Sequence, residues 1–216
     1  MEALIQTITV YALPVLFGIT LHEAAHGYVA RMFGDPTAYQ AGRVSLNPIR
    51  HIDMVGTIIV PLVLLFSTKL MGGAGMLFGW AKPVPVDWSR LNKPKRDMLW
   101  VALAGPASNL VMAIIWAVEL RLLMSAGSGM ESFWVRMAIA GIQINLVLMA
   151  LNLFPLPPLD GGRIVFSLLP GPLAYKYSRI EPYGLLILVV LMMTGVLWKL
   201  LLPLLAAGQA IVTWFL

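Results

Sequence analysis

The hydrophobic positions of this chain form long uncharged stretches rather than the short alternating patterns of soluble helices and strands. Four stretches contain no charged residue at all: Ala3 to Leu21, Met98 to Val118, Met137 to Leu159 and Pro182 to Trp198. About 20 apolar residues in a helix cross the hydrocarbon layer of a bilayer. Each of these stretches therefore predicts a membrane-spanning helix.

Two further apolar stretches leave more than one interpretation open. Met54 to Thr68 is short and contains Gly56 and Pro61, whereas Leu200 to Leu216 has a proline near its start. Either stretch could span the bilayer, enter and return, or lie at its surface. No long linker and no internal repeat separates the stretches. We therefore expect an all-α polytopic membrane protein with four to six transmembrane helices, folded as a single domain over residues 1–216.

Composition supports a membrane protein and excludes several soluble classes. The chain of 216 residues is 59% hydrophobic and only 12% charged, against about 25% charged residues in a typical soluble domain. The net charge of +5 would suggest nucleic-acid binding in a soluble protein, but in a membrane protein Lys and Arg mainly set orientation. We expect no nucleic-acid partner. The absence of cysteine excludes disulfides and thiolate metal sites.

The first uncharged stretch ends in the sequence H-E-A-A-H, from His22 to His26. Residues four apart share a helix face, so both imidazoles can reach one tetrahedral metal ion. Glu23 lies beside them, where it can take a proton from water. Ionisable residues inside an apolar span are energetically costly and are by default functional. The alternative is that both histidines bond to neighbouring helices and Glu23 is a buried neutral carboxyl.

A zinc ion held by two histidines needs a third protein ligand. Asp160 is the acidic residue that ends a long uncharged stretch, in N-L-F-P-L-P-P-L-D-G-G from Asn152 to Gly162. The three prolines of this sequence deny it regular helical hydrogen bonds, so we expect an extended segment. Such a backbone is tolerated at membrane depth where it is packed in protein or lines a wet cavity. The sequence therefore predicts that Asp160 lies in an active-site wall.

These motifs together resemble the site-2 protease family of intramembrane zinc metalloproteases, in its short prokaryotic branch without PDZ or CBS domains. The resemblance is carried by H-E-A-A-H, by G-P-A-S-N from Gly105 to Asn109 and by L-D-G-G at its aspartate, and it extends to N-P-I-R-H-I-D-M-V-G-T from Asn47 and G-W-A-K-P-V-P-V from Gly79.

The resemblance implies one Zn²⁺ per chain, bound by His22, His26 and Asp160, with Glu23 as the catalytic base. It also implies cleavage of a substrate's transmembrane helix within the lipid bilayer.

Topology follows from placing the ligands of one ion at one depth. If Met54 to Thr68 crossed the membrane fully, His26 and Asp160 would lie on opposite faces, so we expect this segment to be re-entrant or to lie buried without crossing. Twelve Lys and Arg residues then occupy the loops on the metal side, against two opposite. The positive-inside rule predicts that the catalytic end faces the cytoplasm, and the resemblance to the prokaryotic branch implies a prokaryotic plasma membrane.

Three other features have a functional and a structural interpretation. Asn152 could donate a hydrogen bond to the oxyanion of the reaction, or bond to a neighbouring helix. The proline-alternating residues Gly79 to Trp88 could form a short β-like edge that pairs with an unwound substrate, or a simple surface loop. His51 could orient substrate or anchor a loop, and its role stays open. For Gly105 to Asn109, helix packing is the default interpretation.

Two other functions remain possible at this point. Intramembrane His and Asp residues also mark ion pathways, which would make the protein a metal-ion transporter. A proteolytically inactive scaffold for membrane helices is the other alternative. A carboxylate between two ligating histidines, as Glu23 provides, has a purpose in a hydrolase and none in a transporter.

Overall fold

The computed structural model describes residues 2–51, 53–59, 63 and 82–216, without the side chains of residues 2–8, 55, 57 and 58. Throughout this part of the chain, regular structure is helical and no β-strand occurs. The α-helices are α1 Glu2–Met32, α2 Thr37–Gln40, α3 Pro94–Ser125, α4 Phe133–Leu153, α5 Asp160–Leu168, α6 Gly171–Ser178, α7 Glu181–Met193 and α8 Val196–Thr213. Short 3₁₀ turns at Pro48–His51 and Trp88–Arg90 and a π-helical segment at Met54–Ile59 lie between α2 and α3.

The fold is that of an all-α polytopic membrane protein, as predicted. Within the described residues, α3, α4 and α8 are long and apolar enough to cross a bilayer. The first predicted span, Ala3 to Leu21, falls inside the 31-residue α1. Because the first side chains of α1 are outside the described set, that span stays a prediction.

The predicted span from Pro182 to Trp198 is wrong in its boundaries. The 13-residue α7 ends at Met193, and Gly195 then adopts a left-handed conformation with φ +71°. Glycine reaches this region without steric cost, so the helix ends there instead of continuing. The helix of membrane length is α8, which covers most of the stretch that the sequence left ambiguous.

The helices pack around α3 and α4. α1 lies against both of these helices, α5 packs on α3, and α8 packs on α4. A Cβ at Gly141 of α4 would lie only 2.3 Å from the Trp116 ring of α3, so these two helices approach closely because position 141 has no side chain. The main buried cluster, which includes Ala113, Trp116, Leu146 and Met149, fills this interface.

The region between α2 and α3 holds two of the predicted features. Most of the predicted re-entrant segment, Met54 to Thr68, lies outside the described residues. Of the predicted β-like loop, residues 82–88 are described: residues 82–87 form neither helix nor strand, and Trp88 begins the second 3₁₀ turn. This segment runs alongside α1, which brings it next to the functional residues.

Candidate metal centre

The two histidines of α1 lie buried against α3. His22 and His26 are 7% and 5% exposed, and their Nε2 atoms are 3.1 Å apart. The Nδ1 of His26 is 2.6 Å from the carbonyl oxygen of Val101. A carbonyl only accepts hydrogen bonds, so this Nδ1 carries a proton and donates it. In a neutral ring the lone pair is then on Nε2.

A chain of asparagines holds His22 in the same tautomer. The Oδ1 of Asn109 lies 2.7 Å from His22 Nδ1. The amide group of Asn109 donates to the carbonyl of Gly18 and to the Oδ1 of Asn145, each at 3.0 Å. Because both donors of Asn109 are used in this way, its Oδ1 is the acceptor and His22 Nδ1 is the donor. The lone pair of His22 is therefore also on Nε2.

Asp160 meets the two histidines from the start of α5. Its Oδ2 atom lies 3.1 Å from the Nε2 of His22 and 3.1 Å from that of His26. The glycine after it is essential to this placement, because a Cβ at Gly161 would lie 2.3 Å from the carbonyl oxygens of Leu153 and Phe154. The predicted convergence of the three residues is what the structure contains, and it makes them one candidate metal-ligand group.

The three ligand atoms fit a cation. Two lone-pair nitrogens and a carboxylate oxygen, all 3.1 Å apart, repel one another unless a positive charge lies among them. The buried Asp160 Oδ2 has no hydrogen-bond donor within the described residues. Tetrahedral zinc with bonds of about 2.0–2.2 Å places its ligand atoms about 3.3 Å apart, close to the observed separation.

The backbone of α3 forms the wall above these atoms. A Cβ at Gly105 would lie 2.4 Å from His26 Nε2 and 2.6 Å from His22 Nε2. These distances are far inside van der Waals contact, so any side chain at this position would fill the space beside the ligand atoms. The sequence predicts a packing role for Gly105. The structure adds a specific reason for glycine at this position, because a larger residue would collide with His22 and His26.

Glu23 lies on the neighbouring face of α1 and is only partly buried. Its Oε2 accepts a hydrogen bond of 2.8 Å from the backbone N–H of Val84. Within the described part of the chain, Oε1 has no hydrogen-bond partner. Glu23 is therefore anchored through one oxygen, and the other is available to a water or a substrate.

Two predicted residues make contacts elsewhere. The Asn152 amide donates to the carbonyl of Leu148 in its own helix at 3.0 Å, so its proposed role toward an oxyanion stays a prediction. His51 is 2% exposed, and its Nε2 lies 2.9 Å from the carbonyl oxygen of Ser45. His51 thus fixes the loop between α2 and α3.

The residue that sequence reasoning undervalued is Asn109. Its position in G-P-A-S-N suggested packing, but its side chain is fully buried and bonds directly to His22. The available signal was the pair of asparagines in adjacent uncharged stretches, Asn109 and Asn145. Buried amides in apolar helices need partners, and a histidine of the motif is such a partner.

Comparison with known proteins is consistent with this site. The pattern of peptidase family M50 matches residues 122–195, a segment that includes Asn152 and Asp160. "Putative zinc metalloprotease YwhC" from Bacillus subtilis is 39% identical over 203 residues, which cover 90% of this chain and 85% of that protein. "Putative zinc metalloprotease Rip2" from Mycolicibacterium smegmatis is 29% identical over 182 residues, covering 84% of this chain and 66% of that protein. No solved structure gives a significant match.

Proposed function

Because the chain belongs to peptidase family M50, the site-2 protease family, we propose that it is a zinc metalloprotease that hydrolyses peptide bonds within transmembrane segments of other membrane proteins. The observation that carries the proposal is the group of three buried ligand atoms, His22 Nε2, His26 Nε2 and Asp160 Oδ2, at mutual distances of 3.1 Å. Glu23 lies one residue from the first of them.

The residues divide the chemistry among themselves. His22, His26 and Asp160 would hold the zinc ion, which when bound polarises the scissile carbonyl and makes water more acidic. Glu23 would accept a proton from water at Oε1, because Val84 occupies Oε2. The same carboxyl would then return the proton to the leaving amide nitrogen. Asn152 would contribute a hydrogen bond to the oxyanion only after its amide leaves the Leu148 carbonyl.

A membrane substrate is supported by the setting of the site. The ligand residues are buried among helices α1, α3 and α5, and α3 is long and apolar enough to cross a bilayer. A helical substrate hides its peptide bonds in hydrogen bonds, so cleavage requires that it unwinds locally. We place the catalytic end at the cytoplasmic side of a prokaryotic plasma membrane, because the predicted topology puts most of the basic residues in loops on the metal side.

The transporter alternative has less support. A transport site needs ligands that bind and release ions. Glu23 lies beside the ligand group but is hydrogen-bonded to the Val84 N–H, and a transporter has no use for such a carboxylate. An inactive scaffold has no need of a complete ligand set or of a carboxylate with a free oxygen, so their presence favours the enzyme.

The decisive test is zinc analysis combined with cleavage of single-span substrates by purified protein in lipid nanodiscs. We expect about one zinc per chain and cleavage inside the substrate's apolar segment, located by mass spectrometry. Glu23→Gln should retain zinc and lose cleavage by about 10²-fold or more, because it removes the proton acceptor. Equal cleavage by wild type and Glu23→Gln would refute the role of the base. Zinc binding without cleavage of any substrate would favour the scaffold.

A further inference from the structure

Residues 82–87, which we call the strap, cross α1 beside the candidate site. Pro83 and Pro85 have no backbone N–H, so Val84 supplies the one N–H of residues 83–85. That N–H donates to Glu23 Oε2 at 2.8 Å. The one N–H at the centre of the strap, that of Val84, is thus bonded to Glu23, which lies next to the proposed metal ligands.

Both ends of the strap are fixed by other parts of the chain. At one end, the Lys82 N–H donates to the His51 carbonyl at 3.0 Å, and Arg43 donates through Nη2 to the Lys82 carbonyl at 2.6 Å. At the other end, the Asp87 N–H donates to Asp35 Oδ2 at 2.7 Å. Arg43 is 8% exposed and Asp35 is fully buried, so these contacts are sheltered from competing water.

The middle of the strap is also packed directly on α1. The Val84 side chain is 6% exposed. A Cβ at Gly27 would lie 3.1 Å from Val84 Cγ1. Gly27 is one helical turn from Glu23, so it lies on the same face of α1. The strap therefore contacts this face twice, through the Val84 amide and through the Val84 side chain.

These contacts favour a role of the strap in orienting the Glu23 carboxylate over a role in pairing with substrate. A substrate strand laid along residues 83–85 would receive no N–H from two prolines and from an amide already bonded to Glu23. A glutamate side chain has several freely rotating bonds, and a misplacement of about 1 Å in a catalytic group can cost about 10²-fold in rate. A single hydrogen bond from a fixed backbone removes much of that freedom.

We propose that the strap is a positioning element for the catalytic base. The Val84 N–H orients the Glu23 carboxylate so that Oε1 faces the reacting water, and Arg43 and Asp35 act as positioning residues that hold the strap in register. This inference rests on the proposed protease function. According to this inference, residues 82–87 affect the rate of the reaction but not the binding of zinc.

The main test is Val84→Pro in the full-length protein. Proline removes the N–H and puts its ring carbon toward Glu23 Oε2. We expect kcat to fall by about 10- to 100-fold, with KM within about threefold of wild type and the zinc content unchanged. Val84→Ala measures the loss of the side chain alone and should reduce kcat far less.

A matched proline control is available two residues further along. The Val86 N–H has no hydrogen-bond partner within the described residues, so Val86→Pro stiffens the strap without removing such a contact. If Val84→Pro and Val86→Pro lower kcat equally, or if Val84→Pro loses zinc, the positioning role is overturned. Arg43→Met should lower kcat in the same manner, and Arg43→Lys, which retains a donor, should recover part of it.

A second measurement does not depend on activity. Hydrogen exchange of the Val84 amide can be followed by NMR on ¹⁵N-valine-labelled protein in micelles. Replacement of Glu23 by alanine removes the acceptor, so exchange should accelerate by about 10- to 100-fold. Unchanged protection would refute the contact. If no substrate is cleaved by the wild type, the proposed function fails, while the exchange result still decides whether the strap holds Glu23.

Discussion

Replacement of Asn109 by alanine tests how α3 prepares His22 for a metal ion. Asn109 accepts a hydrogen bond from His22 Nδ1 at 2.7 Å and is completely buried, so water does not readily take its place. Loss of such an outer partner typically costs 10- to 100-fold in metal affinity, or about 1.4–2.7 kcal/mol. We expect zinc affinity to fall within this range when purified protein is titrated against a chelating indicator.

The matched control is Asn145→Ala. Asn145 is as deeply buried as Asn109 and lies in the same hydrogen-bond chain, but it contacts Asn109 and not His22. Both variants should lower the melting temperature, because each leaves buried polar groups without partners. Only Asn109→Ala should lower zinc affinity strongly, whereas Asn109→Asp, which keeps the acceptor for His22, should lower it less. Equal zinc affinities for the two alanine variants would refute the reasoning.

Two further predictions concern the wall of the site and the topology. Gly105→Ala places a methyl group 2.4 Å from His26 Nε2, so its zinc content should fall to a small fraction of wild type. The control Gly129→Ala meets no atom within 4 Å and should retain zinc. Equal zinc content in the two variants would contradict the close approach of α3 to the histidines. Since the chain has no cysteine, single cysteines at Gln40 and Gly73, which flank the Met54 to Thr68 segment, can be labelled with a membrane-impermeant reagent. The re-entrant interpretation predicts labelling from the same face, and labelling from opposite faces would refute it.

The convergence of the ligand group could be predicted because its signals are local. His22 and His26 share a helix face through their spacing alone, and an ionisable residue in an apolar stretch is costly without a function. Asp160 followed from the scarcity of acidic residues and from the prolines before it. These arguments need residue types and distances along the chain, which a sequence contains.

Other features depend on geometry that the sequence does not contain. The span predicted from Pro182 to Trp198 is interrupted because Gly195 turns the chain, and an uncharged stretch looks the same with or without a turn. The bond between Asn109 and His22 joins residues 87 positions apart. The strap was recognised from its prolines, but its contact with Glu23 depends on how the loop folds back over α1.

In the proposed mechanism, metal binding and positioning of the base depend on two different faces of α1. One i, i+4 pair, His22 and His26, faces α3 and α5, which supply Asn109 and Asp160. The adjacent pair, Glu23 and Gly27, faces the strap. Because the two sets of supporting contacts come from different parts of the chain, damage to α3 should remove zinc, and damage to the strap should slow the reaction while zinc stays bound. Helical spacing thus allows one turn of α1 to contribute to both parts of the proposed site, with each part supported independently.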